Sequence, residues 1–167
     1  MIHTANLITK REEYVSYDIR KRAEIFNALY QFARKIPAKY HSIIIDKKYH
    51  NTKNQLRKHL YREMEELIYK NKSYFSKFDK VVIYYDNGQK TVGIILDETF
   101  GKLNGYIHKI DFNHTEKKLF QVADMLTYLD KFEYKNNKKI PLVTHEKYFH
   151  NYINFKKIIQ TLNKKKF

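Results

Sequence analysis

Cysteine is absent from all 167 residues, which excludes disulfides, thiolate metal sites and a cysteine nucleophile together. Acid is in short supply as well: 18 Asp and Glu stand against 33 Lys and Arg, a formal net charge of +15. Long apolar runs are also missing. The opening residues, Met1 to Arg11, hold no apolar core of signal-peptide length, and no window approaches the roughly eighteen apolar residues that a membrane span needs. These absences lead to the expectation of a cytoplasmic protein that neither spans nor crosses a membrane. Glycine (4) and proline (2) are scarce, and no stretch reads as a linker or an internal repeat. One domain, residues 1–167, is therefore expected, of the size at which a chain buries about 70% of its unfolded surface.

A field of this sign draws polyanions, and nucleic acid is the first partner to consider. Part of the excess sits in runs such as Lys138-Lys139, Lys156-Lys157 and Lys164-Lys165-Lys166. Such runs serve equally well as solubilising faces, and residues 156–167 read as a basic C-terminal tail. Fifteen Tyr and eleven Phe offer stacking surface for bases, but most of them fall on positions that core packing would use.

The apolar pattern alternates between helix and strand periods. Ile19, Ala23, Phe26, Leu29, Tyr30 and Ala33 recur at three- and four-residue spacing behind Asp18, a residue suited to cap a helix. Leu56, Leu60, Met64 and Leu67 mark a second helix, residues 89–102 a third, 116–134 a fourth with Thr115 as its cap, and 146–162 a last one. Between them, Tyr40 to Asp46, Phe78 to Tyr85 and Gly105 to Phe112 read as strands. Strands alternating with helices imply an α/β fold with crossover connections. Three strands leave edges to be covered or shared, by a second copy of the chain or by a complementing N-terminal segment.

Two acids stand out. Asp86 ends the run Val81-Val82-Ile83-Tyr84-Tyr85 just where Asn87-Gly88-Gln89 begins, a position from which a carboxylate can enter a cleft at the carboxyl end of a strand. The same Asp-Asn-Gly is equally turn chemistry. Asp124 lies on an otherwise apolar helix face in Leu119-Phe-Gln-Val-Ala-Asp, where a carboxylate needs either a paired cation or a metal. His3 could hydrogen-bond a phosphate or donate a proton, or simply belong to a loose terminus. His41, His50, His59, His108, His114, His145 and His150 show no metal-ligand spacing and read as surface or strand residues.

Taken in order, Ile2-His3-Thr4, the Tyr84-Tyr85-Asp86-Asn87-Gly88-Gln89 run and Gln121-Val122-Ala123-Asp124 resemble the bacterial and phage family called domain of unknown function 3800. The resemblance implies a ribonuclease H-like fold, here with a reduced mixed or parallel sheet flanked by helices. It also implies a metal-dependent nuclease acting on DNA or RNA. In that superfamily, acids from the first strand, the fourth strand and a late helix hold Mg²⁺ or Mn²⁺. Asp86 would take the fourth-strand position and Asp124 the late-helix one, with His3 close by. The family's opening strand ending in Asp-Glu-Ser does not occur in this chain, which reads as N-terminally truncated relative to the family. Asp46, Asp111 and Glu116 are the candidates for a third acid. A non-catalytic module that binds nucleic acid or a protein partner in a phage, mobile-element or defence system is the alternative.

Overall fold

A computed structural model describes residues 2–50, 52–86, 90–103, 106–112 and 118–167, with backbone alone at Lys47, Asp86 and 106–112. The chain divides into two compact units: Met1–Ser42 with Thr115–Phe167, and Ile43–His114. Among the described residues no helix is long and apolar enough to cross a membrane.

The described residues of the first unit are mainly helical. It comprises α1 (Thr4–Thr9), α2 (Ile19–Lys35), α6 (Lys118–Asn137), α7 (Thr144–Tyr152) and α8 (Phe155–Asn163). Capping fixes where several of these start: the Asp18 carboxylate accepts from the Lys21 N–H at 2.7 Å, and Asn154 accepts from the Lys157 N–H at 3.0 Å. The period-3.6 stripe of α2 delivers Phe26, Leu29 and Ala33 into a core shared with Leu7, Ile8, Met125, Phe149, Phe155 and Leu162. Phe26 touches Phe149 edge-on and Phe155 at a tilt, with ring centroids 5.9 and 5.2 Å apart. Removing a ring so enclosed costs about 3–5 kcal/mol. The run expected as a basic tail is folded in. Lys166 Nζ reaches the buried Asp130 at 2.7 Å, Lys165 Nζ donates to the Ile36 carbonyl at 2.5 Å, and Tyr40 and Lys166 form a parallel β-bridge.

The second unit contains α3 (Lys53–Lys70), α4 (Lys72–Phe75), β1 (Lys80–Asp86), α5 (Lys90–Phe100) and β2 (Tyr106–Phe112). The two strands pair in parallel, from Lys80 opposite Tyr106 to Asp86 opposite Phe112, with α5 as the crossover and α3 packed on α5. Gly93 lets α5 approach the strand closely: a Cβ there would sit 3.2 Å from Cε2 of the Tyr85 ring.

This architecture overturns the expectation of a ribonuclease H-like α/β fold. The described residues are mostly helical, and their only ladder has two strands, too few for that fold's central sheet. The strand expected at 40–46 does not form. Residues 41–46 have no regular structure and Ile44 is exposed. β-Branched residues favour a strand where a neighbouring strand receives them, and among the described residues none pairs with Ile43-Ile44-Ile45. The helix expected over 146–162 is two helices, α7 and α8, separated by the extended Ile153 and by Asn154.

Candidate functional site

Asp124 reaches the start of α1, one residue beyond His3. His3 is the extended residue before the helix, and the Thr4 N–H donates to Asp124 Oδ2 at 2.7 Å across 120 residues. Thr4 is fully buried, so this amide has no recourse to water, and a carboxylate at a helix N-terminus is both acceptor and complementary charge. The other end of α1 is held by Arg22. Its Nη1 donates to the carbonyls of Leu7 and Ile8 at 2.9 and 3.0 Å, and its guanidinium lies 5.3 Å from the Phe149 ring centre. Burial lowers the Arg22 pKa against the pull of Asp18 and Tyr148. Burial also pushes Tyr14 up to about 12, against a hydrogen bond with the His3 backbone. The N-terminal segment is therefore integral to the first unit, clamped by an acid at one end and a base at the other.

Asp124 thus finds its partner in a backbone amide rather than in a lysine. Asp86 ends β1 in the second unit, and its side chain lies outside the described residues. So do Asn87, Gly88 and Gln89, where a turn is one expectation, and His114, Thr115, Glu116 and the Asp111 side chain. Asp46 accepts from the Lys48 N–H at 3.0 Å, the local turn bond of an Asx residue. Tested against Mg²⁺ or Mn²⁺, what is described is one carboxylate with an oxygen already committed to an N–H. Among the described residues no three His, Asp or Glu gather into a metal-holding group.

A second cluster lies on α3. Thr52 caps this helix, its Oγ1 accepting from the Gln55 N–H at 3.2 Å. Toward α5 the helix spends its charge on ion pairs: Arg57 with Glu98 at 3.2 Å, and Glu65 with Lys102, which also donates to the Tyr61 hydroxyl. A different stripe carries Gln55, Lys58, His59 and Arg62 at three- and four-residue spacing, and with Tyr49 and His50 these line a shallow open groove. The His50 and His59 rings meet edge-to-face at 4.9 Å, and His59 Nε2 lies 3.5 Å from Glu63. Lys58 and Arg62 have no ion-pair partner among the described residues.

The third cluster is internal to the first unit. The Tyr128 hydroxyl lies 3.2 Å from Glu146 Oε1 and 3.3 Å from His150 Nε2. Glu146 Oε2 also accepts from Lys135 Nζ at 3.2 Å and from the Val143 N–H at 3.1 Å. Burial alone would raise the Glu146 pKa, but these donors outweigh it and hold the carboxyl below its ordinary range. Burial raises the Tyr128 hydroxyl, and the Glu146 charge adds to the rise. His150, wedged between Phe132 and Phe155 with ring centroids 4.2 and 4.3 Å away, is pushed down to about 4 by burial. A tyrosine that keeps its proton and an imidazole that refuses one stand beside the Lys135–Glu146 ion pair, and the cluster is a hydrogen-bonded support for the core.

Read from the sequence as surface or strand residues, His50 and His59 line one groove with Lys58 and Arg62. The signal available was the Gln55, Lys58, His59, Arg62 spacing on a helix already recognised from its apolar face. Comparison with protein-family models, with curated proteins and with solved structures gave no match.

Proposed function

We propose that the chain is a nucleic-acid-binding protein that holds phosphate through lysine and arginine and whose role does not require cleavage. The carrying observation is the surplus of base. With 33 Lys and Arg against 18 Asp and Glu, fifteen cations would stand unmatched even if every acid took one partner. Many acids are already engaged within the chain: Glu65, Glu98, Glu146 and Asp130 in ion pairs and Asp124 on a backbone amide. Lys58 and Arg62, in no ion pair among the described residues, lie together beside an open groove. A cytoplasmic setting belongs to this reading, since nucleic acid is met there.

The test is a titration of labelled DNA and RNA at several salt concentrations, with Mg²⁺ or Mn²⁺ present in parallel samples. Binding should weaken steeply with salt as counterions are released, by about a thousandfold between 50 and 200 mM if six phosphates are contacted. The nucleic acid should emerge intact. Absent or salt-insensitive binding refutes the reading. Metal-dependent cleavage abolished by Asp86→Asn or Asp124→Asn would replace it with a nuclease.

A further inference from the structure

We propose that the exposed face of α3 is a track for single-stranded nucleic acid, with Tyr49 and Tyr69 stacking on bases and Lys58 and Arg62 holding the phosphates between them. This rests on the nucleic-acid reading above and names the strand form and the site. On a helix advancing 100° per residue, Lys58, Arg62 and Tyr69 fall within one narrow stripe. The rise from Lys58 to Tyr69 is about 16 Å at 1.5 Å per residue. Tyr49, on the short 3₁₀ turn before the helix, lines the groove at the Lys58 end.

Tyr49 and Tyr69 are 80% and 79% exposed. A tyrosine loses favourable burial by standing in water, and two of them bracketing a basic stripe offer flat ring faces where a strand would pass. A duplex keeps its base faces inside its own stack, so exposed rings contribute to binding mainly when the bases are free. Of the acids beside the track, Glu66 pairs with Lys70 at 2.5 Å and Glu65 with Lys102, while Glu63 lies 3.5 Å from His59, a partner that carries charge only when protonated. The face therefore presents Lys58, Arg62 and two exposed rings, with Glu65 and Glu66 drawn into pairs of their own. His50, His59 and Gln55 add N–H donors along the groove.

The experiment measures anisotropy with labelled oligo(dT), oligo(U) and a duplex of the same length, on the full chain and four variants checked for folding by circular dichroism. The variants are Lys58→Ala with Arg62→Ala, Lys156→Ala with Lys157→Ala as an equal charge removal on exposed α8 residues, Tyr49→Ala, and Tyr69→Ala. The Lys58/Arg62 pair should weaken single-strand binding at least tenfold and lower the slope of log affinity against log salt by about 1.4, at about 0.7 per phosphate contact. The Lys156/Lys157 pair should change it less than about threefold. Each tyrosine variant should weaken single-strand binding by roughly fivefold to a hundredfold and leave duplex binding nearly unchanged, the range expected for one lost stack. Equal losses from the two lysine and arginine pairs, or tyrosine variants that bind single strands like the parent, overturn the track while the broader reading stands. A parent chain that binds no nucleic acid overturns both.

Discussion

Replacing Asp124 separates a capping carboxylate from a metal ligand. Asp124→Ala strands the Thr4 N–H, which lies in a fully buried residue and has its acceptor at 2.7 Å. An unsatisfied buried donor costs about 1–3 kcal/mol, and the lost interaction of a negative charge with the helix N-terminus adds about 0.3–1 kcal/mol. Asp124→Asn keeps a carbonyl oxygen at the same reach and forfeits only the charge. The expected order in urea denaturation is parent, then Asn lower by about 1 kcal/mol, then Ala lower by about 2–3 kcal/mol. Against a total of about 5–15 kcal/mol the Ala effect is large. The same curves recorded with Mg²⁺ should superimpose on those without it. An Ala variant as stable as the parent, or an Asn variant as damaged as Ala, refutes the capping role. A Mg²⁺-dependent stabilisation of the parent that vanishes in Asp124→Asn would return the residue to metal chemistry.

Acidification should loosen the first unit through His150. Its pKa stands at about 4 in the folded chain against an ordinary 6.5, so the unfolded chain takes up the proton first, and this contribution, complete above pH 6.5, is lost as pH falls toward 4. By pH 5 the loss reaches at most about 2 kcal/mol, less to the extent that water reaches the ring. Urea midpoints at pH 7 and 5 should differ less in His150→Leu than in the parent, and an unchanged difference would remove His150 as the cause. Glu146, held low by Lys135, Val143 and Tyr128, adds its own loss only at more acid pH. Arg22→Met should destabilise by about 2–3 kcal/mol, because the Leu7 and Ile8 carbonyls lose a charged donor that neither water nor methionine replaces. Hydrogen exchange at the amides of α1 should rise with it, and protection like that of the parent would show the clamp to be dispensable.

Local periodicity was legible and long-range partnership was not. The α2 stripe and its Asp18 cap read directly, because both signals sit within a few residues of each other. The strands at 80–86 and 106–112 were also found within a residue or two, and their parallel pairing follows from the helix between them. The Ile43-Ile44-Ile45 run misled because strand propensity says nothing about whether a partner strand exists. α1 escaped notice for the converse reason. Six residues carry almost no helical signal, and this helix is held by Asp124 and Arg22 from elsewhere in the chain. Asp124 was rightly singled out as a carboxylate in need of a partner, yet no pattern near position 124 names an amide at position 4. The α3 stripe differs: the spacing of Lys58 and Arg62 is present in the sequence, but what places Tyr49 and His50 beside it is the turn before the helix.

The first unit is assembled from both ends of the chain, with Ile43–His114 inserted between its halves and the Tyr40–Lys166 bridge closing it. During synthesis, α2 leaves the ribosome with only Leu7, Ile8 and Tyr14 of its core neighbours made, since Phe149, Phe155 and Leu162 are still to come. At about 5–20 residues per second the wait is on the order of ten seconds, while the inserted unit already has all of its own helices and strands. The nascent chain therefore passes through a stage in which a finished middle trails a sticky, unfinished beginning. Until α8 emerges, the apolar stripe of α2 is exposed to whatever apolar surface it meets, the condition in which nascent chains associate wrongly.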